Sequence, residues 1–180
     1  FEDGMLITPS GMDYNDLAED DIVYVGGKGN AEGRRKPSSE WRFHHDIYRF
    51  RADAMAVVHA HPVHCTTLAC LNRPIPAFHY MVAIAGGRDI RCAPYATFGT
   101  RDLSDSILVA LRDRKACLMA NHGLICLEQS LPLALRLAIE VEHLANAYRQ
   151  SLEIGGPVLL DTEEMDRVVE KFRHYGPDAQ

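Results

Sequence analysis

His59, His61 and His122 carry the strongest chemical signal in this chain, because three neutral imidazoles with one coordination position left open make a catalytic zinc site. The first two lie in Ala56-Val57-Val58-His59-Ala60-His61-Pro62. Met55 to Val58 is short, apolar and rich in valine, which predicts a buried strand, and side chains two apart on a strand share a face. One cation can therefore take both rings. His122 lies in Ala120-Asn121-His122-Gly123-Leu124, at a turn between the apolar runs Ala116 to Met119 and Leu124 to Leu127. A His-x-His pair near a strand end also serves purely structural roles, and spacing alone does not bring the third histidine to the other two.

The elements that must position these residues can be read on either side of them. Pro62 stops the strand ladder and Val63 to Leu71 reads as a helix, so the pair falls at the carboxyl end of a strand, where α/β proteins bind ligands. Upstream, Lys36-Pro37-Ser38-Ser39-Glu40-Trp41 leads into an amphipathic run from Trp41 to Phe50. Ser38 or Ser39 can cap that helix and Glu40 suits its dipole, which explains all three structurally. The functional alternative is that amides and two hydroxyls bind a phosphate there, with Glu40 beside the ligand for proton transfer.

Further strands are expected at Met5 to Thr8, Asp21 to Val25 and Ile90 to Ala93. Gly26-Gly27-Lys28-Gly29 reads as a hairpin connection, since it lacks the Gly-Lys-Ser/Thr ending and following helix of a phosphate loop. Helices are expected from Asp102 to Arg112 behind a Thr100 cap, from Leu131 to Glu153 behind Ser130, and from Thr162 to Phe172. Ala77 to Ala85 places His79 and Tyr80 in an apolar setting, where a tyrosine is ordinarily a core or interface residue. Strands that alternate with helices, yet also meet through short turns, imply an α/β fold: a mixed sheet covered by helices on both faces.

Composition narrows the function classes. With 180 residues, 47% apolar and 24% charged, the chain suits one globular domain, residues 1–180. A net charge of −6 without a dense Lys/Arg block disfavours nucleic acid, and no apolar run approaches the about 18 residues of a membrane span. Five cysteines, at 65, 70, 92, 117 and 126, show no disulfide-like or Cys-x-x-Cys spacing. They read as reduced thiols of a cytoplasmic protein, Cys65, Cys117 and Cys126 packing in apolar runs. Phe1-Glu2-Asp3-Gly4 has neither a signal-peptide pattern nor an initiator Met, so the natural chain is expected to start upstream.

Taken together, the motifs resemble the class II aldolase/adducin family. They are Asp3-Gly4-Met5-Leu6-Ile7-Thr8-Pro9-Ser10-Gly11, Lys36-Pro37-Ser38-Ser39-Glu40-Trp41-Arg42-Phe43-His44, Ala56-Val57-Val58-His59-Ala60-His61, His79-Tyr80-Met81, Ala93-Pro94-Tyr95-Ala96-Thr97-Phe98-Gly99-Thr100 and His122-Gly123-Leu124. They cover nearly the whole chain in order. The resemblance implies a three-layer α/β/α fold with a central mixed, largely antiparallel sheet, and a four-fold homotetramer with active sites between neighbouring subunits. It implies one zinc per subunit on His59, His61 and His122, with Glu40 as acid/base and further ligand of the empty site. Ser10, Gly11, Ser38 and Ser39 match the family's phosphate-binding positions, and Tyr80 matches a catalytic tyrosine brought in from the adjacent subunit.

The activity so implied is reversible cleavage of a ketose 1-phosphate, a small sugar phosphate, to dihydroxyacetone phosphate and an aldehyde. Zinc would serve as Lewis acid, Glu40 would exchange a proton on dihydroxyacetone phosphate, and Tyr80 would donate to the aldehyde oxygen. No lysine Schiff base is needed; Lys28, Lys36, Lys115 and Lys171 read as surface or turn residues. One departure is the family's Gly-Asn-x-Ser phosphate-binding segment, which would lie upstream of Phe1, so an amino-terminal segment is expected to be missing. Within the same superfamily, a sugar-phosphate 4-epimerase would use similar zinc and retro-aldol chemistry but is expected to carry Asp at the Glu40 position, and a related aldolase, dehydratase or decarboxylase acting on another substrate stays open. A non-catalytic, adducin-like interaction module would need none of these histidines. Tyr175 is a candidate for a tail closing over the site.

Overall fold

A computed structural model describes residues 4–174; Asp3, at the start of the first motif, and Tyr175 lie outside the described residues. The contacts of the chain divide into two compact units: one runs up to Ala52 and includes Ala96–Asp105, and the other takes Asp53–Tyr95 and everything from Ser106.

In the first unit, β1 (Gly4–Ile7), β2 (Val23–Gly26) and β3 (Ala31–Glu32) form an antiparallel sheet in the order β1-β2-β3. Met5 pairs with Val25 and Ile7 with Val23, so the period of two puts four apolar side chains on one face. All four are buried, and Trp41 and Tyr48 of α1 (Trp41–Phe50) pack on them. The β2–β3 connection is the expected glycine hairpin, closed by Gly29 N–H donating to Gly26 O at 2.8 Å. Gly29 has φ +82° and a Cβ there would stand 2.7 Å from the Trp41 ring, so glycine is required twice over.

The second expected strand starts later than its sequence suggests. Glu19–Asp21 is a 3-10 turn, and β2 begins at Val23. The cause is Asp21, which is buried: its Oδ2 accepts from Ala18 N–H at 3.0 Å, while Oδ1 accepts from Arg34 Nε at 3.0 Å and Arg35 Nε at 2.7 Å. Arg35, then the Ala18 amide, hold its carboxyl down at about 2, and the nearby Arg34 charge pulls the same way. Arg34 and Arg35 thus clamp a buried carboxylate.

In the second unit, β4 (Ala56–Ala60), β5 (Arg91–Ala93), β6 (Ala116–Met119) and β7 (Gly123–Glu128) form a mixed sheet in the order β4-β7-β6-β5. Only the β5–β6 pair is parallel. All of β6 and the first five residues of β7 are buried, which is why those strands read as unbroken apolar runs instead of alternating ones. Helix α2 (Val63–Cys70) and the long α4 (Leu131–Glu153) pack on this sheet and on each other. Leu137, Val141, Leu144 and Tyr148 of α4 are buried at three- and four-residue spacing, each large aliphatic contributing about 1.5–3 kcal/mol by leaving water. Helix α3 (Arg101–Ala110), which begins in the first unit, has Leu103 N–H donating to Thr100 Oγ1 at 3.3 Å, the expected cap. Helix α5 (Thr162–Arg173) is capped by Asp161, which accepts from Glu164 N–H at 2.7 Å. The architecture is α/β, and among the described residues no helix is long and apolar enough to cross a membrane.

Candidate metal centre

Strand β4 runs two residues further than its apolar stretch, so His59 lies inside the ladder, paired with Ile125, and Ala60 pairs with Leu124. His61 follows directly, before Pro62. The turn from β6 to β7 is tight: Asn121 adopts φ +54°, a left-handed conformation that asparagine tolerates, and the next residue is His122. Antiparallel pairing of β7 with both β4 and β6 carries that turn to the end of β4.

The three rings meet there. Their centroids are 4.8 Å apart for His59–His61, and 4.9 Å apart for His59–His122 and for His61–His122. His59 Nε2 and His61 Nε2 are 3.0 Å apart, and the ligand nitrogens of all three lie within 4.8 Å of one another. A tetrahedral ion with bonds of about 2.0–2.1 Å needs nitrogens about 3.3 Å apart; the His59–His61 pair is already close to that spacing, and all three rings are near enough to share one ion. His59 Nδ1 lies 2.9 Å from Leu124 O. A carbonyl oxygen only accepts, so Nδ1 carries the proton and Nε2 is left bare toward the other rings. His61 is exposed while His59 and His122 are half-buried, which leaves one side of the cluster open to a ligand.

The predicted phosphate residues are grouped by the first unit. Past β1 the backbone continues to pair: Ser38 N–H donates to Thr8 O at 3.0 Å, Ser10 N–H to Lys36 O at 3.1 Å, and Pro9 bridges Pro37. This sets Ser10 and Gly11 beside Ser38 and Ser39. Gly11 has φ +68° and open space around its Cα, and a Cβ on Gly99 would stand 3.1 Å from Ser39 O. Glu40, rather than either serine, is the first half-helical residue of α1; Ser38 Oγ instead accepts from Glu40 N–H at 3.2 Å. Tyr80 opens a 3-10 turn (Tyr80–Ala85) in the second unit and is 51% exposed. His79 accepts from Met81 N–H at 3.2 Å and lies ring to ring with Tyr80 at 4.8 Å.

Burial pushes the thiols of Cys65, Cys117 and Cys126 far up, and that of Cys92 to about 11. None offers a thiolate at neutral pH. Lys115 is held by Glu128, Nζ to Oε1 at 2.7 Å. A cleft of about 750 Å³ in the first unit, lined in part by Tyr24, Lys28, His45 and Arg49, contains none of the predicted site residues.

The pattern of the Class II Aldolase and Adducin N-terminal domain matches residues 2–149. The chain belongs to that family. It is 57% identical over 178 residues to the 5-methylthioribulose-1-phosphate/5-deoxyribulose-1-phosphate aldolase of Rhodospirillum rubrum, spanning 99% of this chain and 80% of the relative. It is 56% identical over 177 residues to the L-fuculose phosphate aldolase of Escherichia coli, spanning 98% and 82%. A solved L-fuculose 1-phosphate aldolase structure superposes with TM-score 0.91 at 46% identity, over 94% of this chain and 80% of that one. The chain is accordingly a lyase of the class II aldolase type, with a histidine cluster able to hold a metal.

Three residues went unread in the sequence, two beside the cluster and one on α4 that accepts hydrogen bonds from the start of α2. Leu124 acts through its carbonyl, which no residue type reveals. Gly123 had a signal, a glycine directly after the turn histidine. Glu142 had one too: it interrupts the buried face of α4 made by Ala138, Val141 and Ala145.

Proposed function

We propose that this protein is a zinc-dependent aldolase that cleaves L-fuculose 1-phosphate, or a similar ketose 1-phosphate, reversibly to dihydroxyacetone phosphate and an aldehyde. For L-fuculose 1-phosphate that aldehyde is L-lactaldehyde. The observation that carries the reading is the convergence of three imidazoles, one with its tautomer set by a backbone carbonyl, in a chain of the class II aldolase family. Neutral nitrogen ligands suit zinc and leave its charge undiminished. When bound, the metal supplies a Lewis acid that stabilises negative charge developing on the substrate carbonyl oxygen.

The remaining work falls to side chains of this chain. Ser10, Gly11, Ser38 and Ser39 hold the phosphate, and fixing that end of the substrate orients the carbon that will lose or gain a proton. Glu40 takes that proton during condensation and returns it during cleavage, and it would also help to hold the metal. Tyr80 donates a proton to the aldehyde oxygen as the new carbon–carbon bond forms. Its half-exposed position supports the further reading that it acts in a neighbouring subunit of a homotetramer. The exposed apolar row Leu131, Leu135 and Ile139 on α4 supports self-association. The five free cysteines agree with a cytoplasmic setting.

A second reading concerns the aldehyde half alone. The Rhodospirillum rubrum relative is named for 5-methylthioribulose 1-phosphate and 5-deoxyribulose 1-phosphate, which share the ketose 1-phosphate end with L-fuculose 1-phosphate. One assay separates these: metal content per chain, and aldehyde-dependent consumption of dihydroxyacetone phosphate with and without chelator, using L-lactaldehyde and then the aldehydes of the other two sugars. About one zinc per chain with chelator-sensitive condensation is expected. Zinc without condensation would favour an epimerase, dehydratase or decarboxylase, and neither would leave a non-catalytic module.

A further inference from the structure

Helix α2 stands between the two segments that carry the metal-binding histidines. Its amino end follows His61 after the single residue Pro62, and its Ala69 carbonyl accepts from Asn121 N–H at 3.0 Å, next to His122. The helix has eight residues, too few to be stable by hydrogen bonding alone. Its cap residue, Pro62, makes no side-chain cap bond, and no acidic residue lies in its first turn. The donors of that turn are met from elsewhere: Glu142 of α4 accepts His64 N–H on Oε1 and Cys65 N–H on Oε2, each at 2.8 Å. A carboxylate across two amides at the positive end of a helix is a strong, directional hold.

We propose that Glu142 is a positioning residue of the metal centre: by clamping the start of α2 it fixes where His61 stands against His59 and His122. This rests on the reading of the three histidines as metal ligands. Pro62 has its φ restricted by its ring, so a shift of the His64–Cys65 turn passes to His61 with little chance of being absorbed between them. His59 is held separately, by its strand register and by Leu124 O, and so is not expected to move with it.

The test compares Glu142→Gln, Glu142→Asp, His61→Ala and Asp161→Ala with the parent protein. Zinc affinity is read by competition with a chromophoric chelator, and ligand geometry by the visible spectrum of the cobalt-substituted protein. Asp161→Ala removes the cap of α5 and controls for loss of stability at an ordinary helix start. Glu142→Gln keeps the size but opposes an amide donor to one of the two N–H groups, and should weaken zinc binding about tenfold and shift the cobalt bands. Glu142→Asp keeps the charge with a shorter reach and should fall between it and the parent, which preserves the test should the glutamine variant fail to fold. Asp161→Ala should lower the melting temperature with affinity and spectrum unchanged. Parent-like affinity and spectrum in whichever Glu142 variant folds overturns the proposal. An equal loss of affinity in Asp161→Ala does the same. Parent-like affinity in His61→Ala instead removes the three-histidine reading, and the proposal with it.

Discussion

Gly123 and His61 approach so closely that no side chain fits between them. A Cβ built on Gly123 would stand 2.7 Å from His61 Cδ2 and 2.5 Å from Ala60 O. The first of those neighbours is a ring that must hold its place, and the second is backbone in the β4–β7 ladder, so neither yields cheaply. Gly123→Ala should destabilise the protein by about 1–3 kcal/mol, the usual range for overpacking, and should weaken zinc binding by displacing His61. Thermal unfolding and chelator competition check both; a variant with parent-like zinc affinity would mean the centre tolerates movement of that ring.

The roles given to Glu40 and Tyr80 separate in partial reactions. Glu40→Gln should reduce exchange of solvent hydrogen into dihydroxyacetone phosphate by about 100-fold or more, within the range attributed to general acid–base catalysis. Tyr80→Phe should leave that exchange nearly intact and slow condensation with the aldehyde. Both are read by deuterium incorporation with and without aldehyde present. Equal losses in the two reactions for Tyr80→Phe would remove the tyrosine from the aldehyde step.

The first unit carries its own pH response. Asp21, held at about 2 against an ordinary value of 3.8, is depressed in the folded state, so the unfolded chain binds the more protons between those values. The stability that Asp21 contributes is therefore complete above the ordinary value and is lost as pH falls toward 2. Urea midpoints measured from pH 5 to pH 2.5 should drop less steeply for Asp21→Asn than for the parent, and Asp21→Asn should be the less stable of the two at pH 7. Parallel slopes would show that Arg34 and Arg35 do not hold the carboxylate in solution.

Metal removal should affect stability as well as activity. A ligand that binds only the folded chain stabilises it in proportion to the logarithm of its free concentration over its dissociation constant. Chelation should thus lower the melting temperature of the parent, and zinc should restore it, while His61→Ala should respond to neither treatment. An unchanged melting temperature on chelation of a protein shown to carry zinc would place the ion outside the histidine cluster.

Much of the fold was legible from local pattern alone. Trp41–Phe50 and Leu131–Glu153 begin and end where periodicity and breakers put them, and β6 matches its apolar run, because such signals arise among residues a few positions apart. The sharing of a face by His59 and His61 follows from the two-residue repeat of a strand. Where local signals met a distant partner, they failed. Asp21 looked like the start of a strand, yet two arginines 13 and 14 residues away hold it in a 3-10 turn. Ser38 looked like a helix cap, yet its amide is tied back to Thr8 and the helix starts after Glu40.

The residue types and local pattern determined which residues have metal-ligand chemistry, that two of them fall at the end of one strand, and which family the motifs resemble. The meeting of His122 with that pair, the tautomer of His59, the absence of room at Gly123 and the Glu142 hold on α2 were decided only by tertiary structure. Each depends on the register between segments more than 60 residues apart, such as the 65 residues from His59 to the carbonyl of Leu124 and the 78 from His64 to Glu142. Register of that kind is set by how whole strands and helices pack, and no single stretch of the chain contains it.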